Sequence, residues 1–286
     1  SYERIKNIFL SCNVCSGLIM IVTVSSGIRG GVGKSLIAAC MAYTFNYLHA
    51  IDESERPTLV LDVGGGATRF VLPSGVSPPY TRDLPHTFDS IVVVSFTHRQ
   101  ERKRLFRKPV VEERTVSFYI TPEVRELREE ELRAVIDVLR ELENYFDFII
   151  IDMPAVTSRY YWDLLNVTDV QVICLVPEST VYESVLQTNE TKADKVIAVV
   201  NKFNKSLQHH VEALEVIKKH FEKWPQAKVI TVPWDSALKL AGSYGLDFLL
   251  RFPPSEETIK AISSLVSLLE EAKQELAKRA GLKVVA

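Results

Sequence analysis

The chain has 286 residues, 47% of them hydrophobic and 24% charged, with a formal net charge of −2. That is enough apolar material for a sizeable core, and it excludes a disordered or low-complexity polypeptide. The near-neutral balance also excludes a globally basic polyanion binder, so any nucleic-acid contact has to come from a local patch.

Residues 8–24 approach membrane-spanning length, but Ser11, Asn13, Ser16 and Gly17 interrupt them and no basic leader with a cleavage site accompanies them. The expectation is a cytoplasmic protein in which residues 1–17 form an extension ahead of a single domain over 18–286. Within the extension, Cys12 and Cys15 make a lone C-x-x-C pair, half of what a tetrahedral zinc or iron–sulfur site requires. Two copies of the chain would be needed to complete such a site. The other cysteines, Cys40 and Cys174, lie in apolar runs and read as small core residues.

"LIMIVTV" (18–24) is a continuous β-branched run, and "LIAACMAY" (36–43) is apolar in the manner of a buried helix. Between them stands "SSGIRGGVGKS" (25–35). Its glycines let backbone N–H groups turn inward, and the helix that follows aims its positive dipole end at the same point. Lys34 would reach the β- and γ-phosphates of a nucleotide, and the Ser35 hydroxyl would bind Mg²⁺. The stretch is a P-loop, with Gly30, Gly31, Val32, Gly33, Lys34 and Ser35 around the phosphates.

"TLVLD" (58–62) reads as the next strand and runs into the glycine-rich "DVGGGAT" (62–68). "IVVVSF" (91–96) and "TVSFYI" (115–120) read as strands on either side of "HRQERKRLFRK" (98–108), which sets six Lys/Arg against one Glu. Such a run is either a solvated face or a hairpin tip or loop that touches phosphates without sequence preference. Val124, Leu127, Val135, Val138, Leu139 and Leu142 form a helical stripe. "FDFIIID" (146–152), "VQVICLV" (170–176), "KVIAVVN" (195–201) and "KVITV" (228–232) continue the strands. A second stripe, Leu207, Val211, Leu214, Ile217, Phe221 and Trp224, is expected to start at a Ser206 cap and stop at Pro225. His209 and His210 lie in it as neighbours that face different directions, which makes them poor joint ligands. Ile259, Ile262, Val266, Leu269 and Leu276 form a third stripe, and the closing "RAGLKVVA" is too short and too weakly basic for a membrane-binding helix. Most strand runs are continuous rather than alternating, as in strands buried on both faces. Strand–helix alternation without a linker or repeat predicts a doubly wound α/β fold, a mostly parallel sheet with helices on both faces.

Several of these stretches resemble the ParA/MinD family of dimerising P-loop ATPases. "RGGVGKS" is similar to the family's deviant Walker A motif "KGGVGKS/T", with Arg29 where an extra lysine crosses the dimer interface to the partner's nucleotide. Arginine keeps the charge and can fork two donors onto phosphate oxygens, either across an interface or onto its own nucleotide. "FDFIIIDMPA" (146–155) resembles "YDYIIIDTPP", which implies that Asp152 holds a water of the Mg²⁺ shell. "TDVQVICLVPE" (168–178) resembles "ADxVIIPVxPE". "KVIAVVNKF" (195–203) resembles the strand whose terminal asparagine reads adenine, here Asn201. "VPWDSALKLAGSYG" (232–245), which contains Pro233, resembles the loop and helix that close over the base. One stretch departs from the pattern. Where the family has "DxDPQGNAT", this chain has "DVGGGAT": Asp62 remains, but the second aspartate, which helps to orient the attacking water, is Gly64. Slow hydrolysis is expected, unless Asp62 swings inward to take that role.

The resemblance implies an ATP- and Mg²⁺-dependent ATPase that forms a homodimer on nucleotide. Its catalytic set would be Arg29, Lys34, Asp62 and Asp152, with Ser35 and Asp152 at the metal. It also implies DNA partitioning or cargo positioning, nonspecific DNA contact through Arg99–Lys108 and a small DNA-binding adaptor; the weakly basic C-terminus favours the ParA side of the family, with no membrane contact. Two alternatives stand beside it: an ATP-locked dimeric scaffold without turnover, and a metal or iron–sulfur carrier of the same fold that uses Cys12 and Cys15.

Overall fold

The computed structural model describes residues 18–51, 57–64, 66–72, 80–81, 91–102, 110–121, 123–124, 136–137, 139, 142, 145–157, 161–188 and 193–281. The pair Cys12 and Cys15, basic residues 103–108, and Leu127, Val135 and Val138 lie outside the described residues.

In chain order the strands are β1 (Met20–Ser25), β2 (Thr58–Asp62), β3 (Tyr80–Thr81), β4 (Val92–Arg102), β5 (Val110–Ile120), β6 (Glu123–Val124), β7 (Phe148–Asp152), β8 (Val170–Leu175), β9 (Lys195–Phe203) and β10 (Lys228–Pro233). The helices are α1 (Lys34–Ile51), α2 (Thr68–Val71), α3 (Tyr161–Leu165), α4 (Ser179–Thr188), α5 (Gln208–Phe221), α6 (Ser236–Tyr244), α7 (Asp247–Arg251) and α8 (Glu256–Arg279). The main sheet has the order β10-β9-β8-β1-β7-β2-β5-β4, and β3 and β6 form a separate parallel pair. Every neighbour in the main sheet is parallel except β4, which is antiparallel to β5. From β1 the chain builds outward to β2 on one side and to β8, β9 and β10 on the other. The carboxyl end of β1 therefore opens the crevice in which ligands of such sheets bind.

The continuous apolar runs are buried on both faces, as their composition requires. Val22, Val24, Val60, Ile150, Val172 and Val199 pack beneath α1 and α8 on one face. Leu59, Leu61, Ile149 and Ile151 pack towards α3, and Ile173, Leu175, Ala198 and Val200 towards α5, on the other. Cys40 and Cys174 are buried free thiols, and burial pushes both up to about 12. No helix among the described residues is long and apolar enough to cross a membrane.

Four local expectations are corrected. Val124 belongs to the short strand β6 rather than to a helix, while Leu139 and Leu142 are buried in the core as a stripe would have them. Leu207, not Ser206, occupies the N-cap of α5, and no side chain caps it. The Ser206 N–H instead bonds the Asn204 side chain in the preceding turn. Two stripe positions face solvent: Leu207, the N-cap of α5, is 39% exposed, and Ile259, in the first turn of α8, is 47% exposed. Part of the basic segment is strand: β4 and β5 pair as far as Arg102 opposite Val110, so residues 98–102 lie in a hairpin arm.

Phe45 of α1 stacks on Phe148 of β7 with ring centroids 4.1 Å apart, and both rings are buried. Phe45→Ala removes one half of the contact that seats α1 on the sheet. It is expected to lower stability by about 3–5 kcal/mol, read as a lower urea midpoint by circular dichroism.

Candidate functional site

β1 delivers the chain at Ser25 to the carboxyl edge of the sheet, and residues 26–33 turn back before α1 begins at Lys34. Gly33 has φ +89°, and the place where its Cβ would stand is filled by the side-chain amide of Asn201. That amide donates to the Val32 carbonyl at 2.8 Å, and Lys202 Nζ donates to the Gly31 carbonyl at 2.8 Å. Two successive carbonyls of the loop are thus held from the end of β9. Lys202 is able to reach because it takes φ +57°, unusual outside glycine.

A cavity of about 570 Å³ opens over this loop. Its walls include Arg29, Gly30, Gly31, Val32, Gly33, Lys34 and Ser35, then Gly64, Gly66, Arg69, Asn201, Lys202, Pro233, Trp234, Asp235 and Lys239. The P-loop residues, Asn201 and Pro233 therefore come together around one space. Asp62 and Asp152 stand behind its wall, both fully buried.

Asp152 ends β7. Its Oδ1 pairs with Lys34 Nζ at 3.0 Å and its Oδ2 accepts the Ala67 N–H at 3.0 Å. Lys34 Nζ also donates to the Met153 carbonyl at 2.6 Å. Asp62 does not swing into the cavity. Its Oδ1 accepts the Gly66 N–H, and its Oδ2 accepts both the N–H and the hydroxyl of Thr68, at 2.9, 2.8 and 2.6 Å. Burial and then the Asp152 charge push the Asp62 carboxyl up to about 6, against the pull of its bonds from Thr68 and Gly66. The expected stand-in for the missing carboxylate is thus the anchor of its own loop. Gly64 lies exposed on the cavity wall with φ +79°.

The oxygen donors near Lys34 are the Ser35 hydroxyl, in the first turn of α1, and the Asp152 carboxylate, which has lone pairs left after two bonds. Among the described residues no three His, Cys, Asp or Glu side chains gather as a zinc site would need. This chemistry fits Mg²⁺, a hard cation that keeps much of its water, and not zinc. Arg29 is exposed, and its Nη2 donates to the Thr180 carbonyl of α4 in its own chain at 3.1 Å. His210 is buried and its Nδ1 accepts the Asn204 N–H, a structural role, while His209 is exposed.

Sequence reasoning missed Lys202, Trp234 and Arg69, which fit no spacing motif and join the site only through backbone geometry. Asp235, also unforeseen, caps α6 through the Ala237 and Leu238 N–H groups and ties α8 in through Ser255 and Thr258. Burial alone would raise its pKa, but these hydrogen bonds hold the carboxyl below the ordinary value.

No family model matches the chain, and no curated protein matches it by sequence. Its structure is similar to the MinD cell division protein of Aquifex aeolicus, with a TM-score of 0.58 and 16% identity over 87% of this chain and 97% of that one. It is similar to a ParA family ATPase of Chlorobium tepidum at 0.59 and 16%, over 87% and 99%. It is also similar to the McdA–ATP complex of Cyanothece at 0.52 and 16%, over 94% and 99%. The chain has the α/β P-loop fold of the MinD and ParA ATPases.

Gly33→Ala and Gly31→Ala separate two effects. Both put a side chain at positive φ, but only the new methyl at position 33 also meets Asn201, since nothing stands within 4 Å of a Cβ at Gly31. Gly33→Ala should cost about 1–3 kcal/mol more in urea unfolding than Gly31→Ala.

Proposed function

We propose that this chain is an ATPase of the ParA/MinD type that binds ATP with Mg²⁺ and forms a homodimer around it. The observation that carries the reading is Lys34, held by Asp152 and the Met153 carbonyl at the mouth of a cavity walled by a glycine-rich turn. The loop's Gly31 and Val32 carbonyls are tied back to β9, which leaves its N–H groups for phosphate oxygens. Ser35 and Asp152 would hold the Mg²⁺, which neutralises phosphate charge.

The base end favours adenine. An asparagine amide has two N–H donors and two principal lone pairs; here Val32 takes one donor and the Lys202 N–H takes one lone pair. One donor and one acceptor remain. Adenine offers the complementary pair, its N6–H and N7, whereas guanine offers two acceptors on the same edge. A structural neighbour that holds ATP agrees with this.

Hydrolysis is slow in this reading, because no carboxylate lines the cavity at Gly64 and Asp62 is committed to its loop. Arg29 leaves the Thr180 carbonyl to reach the partner's nucleotide in the dimer. The basic segment Arg99–Lys108 contacts duplex DNA without sequence preference. The role is DNA partitioning or positioning of a cargo in the cytoplasm, with a small DNA-binding adaptor as partner.

Two measurements test this. Lys34→Ala should weaken binding of a fluorescent ATP analogue by about 10²-fold or more, since it removes a charge-assisted contact to the phosphates; near-wild-type affinity would sink the P-loop reading. With a nonhydrolysable ATP analogue, the wild type should double its mass in light scattering while Arg29→Ala stays monomeric. An Arg29→Ala protein that dimerises normally would mean that the arginine serves its own chain only.

A further inference from the structure

The loop after β2 lacks a carboxylate at Gly64, yet it brings a different charge into the same corner. We propose that Arg69 is a built-in arginine finger, the cation that meets the γ-phosphate of the bound nucleotide as it is transferred to water. The inference rests on the nucleotide-binding reading above.

Arg69 lines the cavity together with Gly64, Gly66 and the P-loop, and it is exposed there. Its side chain runs back over the loop: Cδ and Nε stand 3.9 and 4.0 Å from the point that a Cβ on Gly66 would occupy. The arginine side chain therefore packs against Gly66, two residues after the Gly64 that stands where the family has its water-orienting aspartate, and all three line one cavity. Its mounting is rigid on both sides. Ala67 and Thr68, the two residues before it, give their N–H groups to Asp152 and Asp62. Asp152 also holds Lys34, so one carboxylate sets the spacing between the phosphate-binding lysine and the segment that carries Arg69. The Phe70 carbonyl, just after it, accepts the N–H of Leu246, the N-cap of α7, at 2.6 Å and so ties α2 to that helix.

The chemistry asks for such a charge. In hydrolysis a water oxygen bonds to the γ-phosphorus as the bond to the β–γ bridging oxygen breaks. The electron pair of that bond leaves with ADP, and the water's proton passes to solvent or product phosphate. Negative charge spreads over the γ-oxygens and the bridging oxygen in the transition state. Arginine carries its charge at any working pH and forks its donors towards such oxygens, and a finger of this kind supplied within the chain contributes a large share of catalysis in other P-loop enzymes. Arg69 thus stabilises charge where this chain has given up water orientation.

The test compares Mg²⁺·ADP with Mg²⁺·ADP plus aluminium fluoride, a planar mimic of the phosphoryl group in transfer, by calorimetry on the whole chain. Steady-state phosphate release is measured alongside. Arg69→Ala should bind ADP within about 2-fold of wild type, which also certifies its fold, and should bind the aluminium fluoride complex about 10²-fold more weakly. Arg69→Lys should fall between the two. Phosphate release should drop in kcat with KM little changed. Wild-type affinity of Arg69→Ala for the aluminium fluoride complex overturns the inference while leaving nucleotide binding intact. A wild-type protein that binds neither ligand, or whose affinity for both is unmoved by Lys34→Ala, overturns the nucleotide reading and this inference with it.

Discussion

A carboxylate with no solvent contact has to be answered by donors, and the Asp152 carboxylate is answered by two parts of the chain that must work together. Lys34 sits on one oxygen and the Ala67 N–H on the other. Through this group the sheet, the P-loop and the loop after β2 share one reference point. Breaking it by removing one partner would leave a buried charge unpaired, which costs far more than the ion pair itself contributes. The neighbouring Asp62, buried at the same depth, repeats the arrangement for Gly66 and Thr68. Of the two acids, Asp62 is committed to positioning its own loop, while Asp152 positions its neighbours and keeps lone pairs to spare.

The cavity inherits its electrostatics from that division of labour. Arg29, Lys34, Arg69, Lys202 and Lys239 all line it, and among the described residues its only acidic lining group, Asp235, is occupied as a helix cap. A chain of net charge −2 thus presents a concave, strongly positive face. Field lines concentrate in such a cleft and draw polyanions of nucleotide size towards it.

The sheet was legible because its strands are buried on both faces and therefore written as unbroken β-branched runs, as in "TLVLD" and "FDFIIID". The P-loop was legible because glycine, lysine and serine are needed there at fixed spacing. Boundaries were harder: Ser206 has the chemistry of a cap, but the backbone turns one residue later, at Leu207. Charged side chains were harder still. Lys202 reaches the loop only through a left-handed backbone that no pattern announces. Asp62 was readable as an acid near the site, yet whether it faces ligand or its own loop depends on where Thr68 and Gly66 come to rest.

The position of β1 bears on how the protein is made. This strand emerges first among the described elements, but both of its neighbours, β7 and β8, come from much later in the chain. Lys34 and Asp152 are 118 residues apart in sequence. Pairings at such separations close late and slow folding, because the loop entropy is lost before the contacts form. On the ribosome, the P-loop is therefore synthesised long before it can be shaped. Until residue 152 has left the exit tunnel, β1 and the apolar body of α1 have no completed sheet to join, and exposed segments of that kind are the ones prone to aggregation during synthesis.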